Sequence, residues 1–152
     1  GKSLLAHVAM AQATVCVESM AGIENPVLDY DYMPSAVYCQ PQVASIGITE
    51  MEAKEKGYQI KIGKFPFFAS GKAQALGEQM GLVKMIFDDE QGDLLGIHMI
   101  GSEVTELLGE MSLAHLLEAT SLDLGWAIHP HPSLSEVLKE AALAADGKQI
   151  HI

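Results

Sequence analysis

Residues 81–114 read "GLVKMIFDDEQGDLLGIHMIGSEVTELLGEMSLA", and they decide the fold class. Two apolar runs flank an Asp/Glu/Gln/Gly step, the signature of a β-hairpin. From Ser102 the period changes. Val104, Leu107, Leu108, Met111 and Ala114 fall at helical spacing, which predicts a helix over 103–119 with one apolar stripe. Strands followed by helices, not a strict alternation of the two, point to an α+β fold: a mostly antiparallel sheet with helices packed on one face.

Upstream, "SAVYCQPQVASIGI" (35–48) reads as two short strands around Pro41, and "TEMEAKEKG" (49–57) as a compact helix. Thr49 and Glu52 fit a T-x-x-E capping box, and Gly57 takes the C-terminal glycine position. "YQIKIGKFPF" (58–67) sets Tyr58, Ile60 and Ile62 against Gln59 and Lys61, a half-buried strand. "ASGKAQALGEQ" (69–79), small and polar, reads as loop. At the N-terminal end, 3–21 reads as a helix, capped by Ser3 and ended by Gly22, and apolar nearly all round. Such a helix wants burial on every side: it reads either as a central core helix or as a helix taken from a neighbouring domain, with a sticky face left exposed. The Pro- and acid-rich stretch after it reads as a linker. Downstream, "SLDLGWAI" predicts a short helical turn. Val137, Leu138, Ala141 and Ala142 mark a last helix to about Ala145, with Gly147 just beyond.

The chain has 152 residues and a formal charge of −11; all nine basic residues are lysine. Without arginine or a basic face, nucleic-acid binding is not expected. Cys16 and Cys39 form no C-x-x-C pair, which suits a reducing compartment: cytoplasm, or mitochondrial matrix in a eukaryote. The first residue is glycine, not methionine, so a longer parent is expected. Glycine-rich nucleotide loops and the HExxH zinc motif are absent from the sequence.

The remaining chemistry lies in "IHPHPSLSEVLKEA", residues 128–141. His129 and His131 are two apart, as in some zinc sites, but no further cysteine is nearby in sequence and zinc needs three or more ligands. Ser133 and Glu136 form S-x-x-E ahead of the last helix, so Glu136 has a complete explanation as a capping residue. The same spacing lets Glu136 hold one nitrogen of His131, fix its tautomer and leave the other to take a proton. Spacing leaves both readings open. His7 and His98, alone in apolar segments, read as hydrogen-bonded core residues.

"HPHPSLSE" (129–136) resembles the C-terminal signature of the flavin-dependent pyridine nucleotide–disulfide oxidoreductases, in the form found in the dihydrolipoamide dehydrogenase branch. "LLAHVA" (4–9) is similar to the family's segment beneath the flavin ring. "QPQVASIGITEMEAKEKG" (40–57) is similar to the opening of its interface domain, and "GDLLGIHMIGSEVTELLGEMSLA" (92–114) to that domain's hairpin and long helix. The resemblance implies the end of a flavin domain at 1–24, a linker at 25–35 and a dimerisation domain at 36–152. It implies a homodimer in which His131 and Glu136 are an acid/base pair supplied to the partner subunit's active site, with His129 non-catalytic and a cis His131–Pro132 bond. Leu5, Ala6 and His7 match the flavin-adjacent segment. FAD and NAD are implied for the parent, which would oxidise dihydrolipoamide carried on a lipoyl domain. No metal and no membrane are implied, and this piece alone is expected to be inactive. The redox disulfide and nucleotide sites would lie upstream of Gly1. Glutathione or mercuric reductase, and a non-catalytic dimerisation module, are the alternatives.

Overall fold

A computed structural model describes residues 3–151. The ends of the expected ranges 1–24 and 36–152, at residues 1, 2 and 152, lie outside the described residues. The chain divides into two compact units, one up to Met33 and one from Pro34 onward.

The first unit contains helix α1, Ala6–Met20, and a 3₁₀ turn at Tyr30–Tyr32. Two expectations change here. Ser3 is not the cap: Leu5 holds that position and offers no side-chain hydrogen bond. Nor is α1 a central core helix; an apolar face is left exposed, as the other reading of this segment expects. Val8 is its one buried residue, while Met10, Val17 and Met20 are exposed. Gln12 donates to the Tyr30 hydroxyl at 2.8 Å, tying the turn to the helix. His7, read as a core residue, is exposed.

The second unit is built on five antiparallel strands: β1 (Ser35–Val37), β2 (Gln42–Gly47), β3 (Ile60–Pro66), β4 (Leu82–Asp88) and β5 (Leu94–Gly101). Their spatial order is β1-β2-β5-β4-β3, so the β4–β5 hairpin forms the middle of the sheet. The helices are α2 (Glu50–Glu55), α3 (Gly71–Leu76), α4 (Val104–Leu116), α5 (Ser121–Trp126) and α6 (Glu136–Ala145). The Thr49/Glu52 capping box is present in full at the start of α2.

Register puts Ala44 opposite Met99, Ile46 opposite Ile97, Ile97 opposite Met85 and Met85 opposite Gly63, all on one face. That face carries the core, and α4 and α6 pack on the sheet. On the opposite face Ser45, His98 and Lys84 align. There α2 covers one corner, where Ile48, Ala53, Ile86 and Leu95 cluster with Ile60. His98 is half-buried and bonds to the Ile48 carbonyl at 3.2 Å.

Strand β3 departs from the simple alternation. Ile60 and Ile62 are only half-buried, while Gly63 and Phe65 on the other face are fully covered. The reason is α6. A Cβ at Gly63 would collide with the Ala141 carbonyl oxygen and crowd the Ala145 amide at 2.8 Å, so only glycine lets the helix lie this close. A second correction is α3, expected as loop. Ser70 caps it by accepting from the Ala73 amide, and Gly77 ends it in the left-handed conformation.

Candidate functional site

Helix α6 is the mount. Val137, Leu138, Ala141 and Ala142 are buried, which fixes the helix by its apolar face and leaves Glu136 and Glu140 one turn apart beside the preceding turn. Apolar burial of this kind contributes roughly 25 cal/mol per Å² of surface removed from water.

Glu136 satisfies both of its sequence readings at once. Its Oε2 accepts from the Ser133 amide at 2.9 Å, and its Oε1 lies 2.9 Å from Nδ1 of His131. The capping box is only half formed, because Ser133 Oγ pairs with Ser135 Oγ and Ser135 takes the cap position without a side-chain bond. Burial opposes ionisation of Glu136. The Ser133 amide and the His131 ring outweigh it, so the carboxyl lies below its ordinary range. The carboxylate therefore stays charged and holds Nδ1 of His131. The ring is 76% exposed, and among the described residues its Nε2 has no hydrogen-bond partner. The His131–Pro132 bond is cis.

His129 is held differently. Its Nε2 lies 2.8 Å from Glu110 of α4 and its Nδ1 lies 3.2 Å from the Ala127 carbonyl. With the side chain 7% exposed and both nitrogens engaged, it ties the turn to α4. The two histidines thus meet separate carboxylates. Among the described residues no group of three metal-ligating side chains occurs.

His131 opens on a cleft of about 290 Å³. Phe65 of β3 lines it, as do Ser70, Gly71 and Gln74 at the start of α3. The ring lies close enough to Gly71 that a Cβ there would meet its Cε1 at 4.0 Å. The helix missed in the sequence is therefore one wall of the site, and its signal was the Ser70–Gly77 pair of end markers. Sequence reading also missed His151, which lines the same cleft and is held at Nδ1 by Glu140 at 2.8 Å. Leu5, Ala6 and His7 lie at the start of α1, in the first unit. Cys16 and Cys39 are exposed free thiols.

Comparison with known proteins agrees with this architecture. Residues 33–142 match the family model described as "Pyridine nucleotide-disulphide oxidoreductase, dimerisation domain". The chain is 51% identical over 147 residues to dihydrolipoyl dehydrogenase of Bacillus subtilis, covering 97% of this chain and 31% of that protein. It is 49% identical over 152 residues to the Rhizobium etli enzyme of the same name, covering 99% of this chain and 32% of that one. The chain thus spans about a third of the length of these relatives. Among solved structures, LpdA from Mycobacterium tuberculosis has a TM-score of 0.83 at 21% identity, over 91% of this chain and 30% of that one. The flavoprotein disulfide reductase RclA from Escherichia coli has a TM-score of 0.83 at 22% identity, over 91% of this chain and 32% of that one. Sheet, helices and sequence converge: the chain belongs to the dimerisation-domain family of the pyridine nucleotide–disulphide oxidoreductases.

Proposed function

We propose that this domain supplies His131 as the acid/base group, and Glu136 as its positioning partner, to the active site of a dihydrolipoyl dehydrogenase. The observation that carries the reading is the asymmetry of the His131 ring, which lines the cleft: Nδ1 is held by an ionised carboxylate, and among the described residues Nε2 has no hydrogen-bond partner. In this role Nε2 takes the proton of a dihydrolipoamide thiol. The resulting thiolate attacks a disulfide sulfur, and the electrons of that new bond are matched by release of the other sulfur as thiolate. His131 holds the proton as imidazolium, stabilised by Glu136 through Nδ1. It returns the proton in the reverse step.

The disulfide belongs to the partner subunit of a homodimer formed through 36–152. Residues 1–24 are the end of the flavin domain and 25–35 the linker. FAD and NAD⁺ would carry the electrons onward in the parent. Leu5, Ala6 and His7 suit a backbone contact with flavin, since α1 begins with no side-chain cap and no acidic residue in its first turn. Among the described residues no helix is long and apolar enough to cross a membrane. The substrate in the cell is the lipoyl domain of a 2-oxo acid dehydrogenase complex, the compartment is cytoplasmic or matrix, and the isolated piece is inactive.

The test of the shared site is subunit mixing in the full-length enzyme. Subunits carrying His131→Gln and subunits lacking the redox disulfide are each inactive as homodimers. Mixed by unfolding and refolding together, they recover lipoamide-dependent NADH formation, because one of the two sites in each heterodimer is intact. No recovery, with heterodimers verified by mass, rejects the shared site.

A further inference from the structure

Helix α6 carries two carboxylates toward the cleft, and each holds an imidazole by Nδ1. Glu136 holds His131 at 2.9 Å from the turn before the helix. Glu140, four residues on and so on the same helix face, holds His151 at 2.8 Å from the segment after it. Glu140 is only 4% exposed, and a buried carboxylate is costly unless its lone pairs are satisfied. Here they are: Oε2 also accepts from the Ile150 amide at 2.9 Å and from the His151 amide at 3.3 Å. Anchoring a chain segment needs no charge, since an apolar contact of similar volume serves as well or better. A buried carboxylate gripping both backbone and ring fixes an orientation.

We propose that His151 is a substrate-positioning residue of the His131 cleft, its Nε2 accepting a hydrogen bond from the thiol-bearing ligand and fixing that ligand against His131. The proposal rests on the reading of the cleft given under Proposed function. With Nδ1–H donated to Glu140, a neutral imidazole presents Nε2 as a bare acceptor. His131 is held in the same way, so the cleft offers two acceptors. A dithiol ligand brings two S–H donors, and its acyl amide brings an N–H. One thiol meets the base, and His151 takes a second donor. His129 cannot serve, since both of its nitrogens are taken. The His151 side chain is 61% exposed and lines the cleft with His131, which leaves Nε2 accessible.

The experiment uses the full-length enzyme with dihydrolipoamide. His151→Leu removes the acceptor. KM should rise about tenfold, the weight of one hydrogen bond to a ligand, with kcat held within about threefold. His151→Gln, whose Oε1 reaches about as far as Nε2, should bring KM back toward that of the parent. If the leucine variant does not fold, as judged by thermal melting, His151→Ala makes the same measurement. An unchanged KM in the leucine or alanine variant overturns the proposal. So does a fall in kcat with KM unmoved, or a glutamine variant no better than leucine. His131→Gln run alongside separates the two readings: if it keeps its kcat, the acid/base reading fails, whatever His151 does to KM.

Discussion

His129 and His131 stand two residues apart in one turn, and each imidazole meets a glutamate, yet the two sites differ in kind. The His129 ring is buried and spends both nitrogens on its surroundings. The His131 ring is exposed and spends one. A carboxylate partner therefore does not mark an acid/base group. On the proposed reading the open second nitrogen does, because a proton needs somewhere to land. The partner glutamates reflect this. Glu110 comes from α4, nineteen residues away, and links the turn to another element. Glu136 comes from the first turn of α6, five residues away, and orients a ring that touches little else.

The largest break in this comparison is His131→Gln in the full-length enzyme. It should lower kcat by about 10²–10⁴, or roughly 3–5 kcal/mol of transition-state stabilisation, with KM little moved, in a steady-state assay. Next comes Gly63→Ala. A Cβ there strikes the Ala141 carbonyl and lifts α6, the mount of Glu136 but not of Glu110. We expect a loss of about 3 kcal/mol in urea denaturation, with the His131 pair disturbed before the His129 pair. His129→Gln should do the reverse of His131→Gln. It should cost stability of about 1–2 kcal/mol in the same denaturation while kcat stays within about threefold. A kcat collapse in this variant would erase the distinction between the two rings.

The smallest effect concerns acid. The Glu136 carboxyl is depressed in the folded state, by the Ser133 amide and the His131 ring against an opposing burial. Its contribution to stability is therefore present above the ordinary carboxylate value of about 4.3 and is lost as pH falls through the lower, folded value. Asp146, bonded first by Lys61 and then by Ser121, behaves in the same sense. Stability measured from pH 6 down to pH 3 should fall less steeply in Glu136→Gln than in the parent. An unchanged slope would show that Glu136 holds the ring without being linked to folding.

What was legible in the sequence was local. The hairpin, the α4 stripe, the Thr49–Glu52 box and the start of α6 all depend on neighbours within a few residues, and all are present. So is the closeness of Glu136 to His131, five positions apart. Two contacts within the cleft region were not legible. The His129–Glu110 and His151–Glu140 pairs span nineteen and eleven residues, and tertiary packing creates them. Helix α3 escaped because its six residues, mostly small or polar with Leu76 alone large and apolar, carry no apolar period, leaving only its end residues as a signal. The alternation of β3 misled because α2 covers a corner of one face and α6 the other. Whether α1 is a central core helix or keeps an exposed apolar face stayed open in the sequence, because an apolar pattern says what a helix needs, not what lies nearby.

The strand order has a kinetic side. β5 pairs on one edge with β4, the preceding strand of its own hairpin, and on the other with β2, whose Ile46 meets Ile97, fifty-one positions on in the chain. The hairpin closes a short loop and can form within microseconds. The β2 seam must close a long one, and loop closure sets the slower step. On a ribosome adding about 5–20 residues per second, β2 emerges several seconds ahead of β5. For that interval the edge of β2 that β5 takes in the finished sheet has no partner strand to fill it.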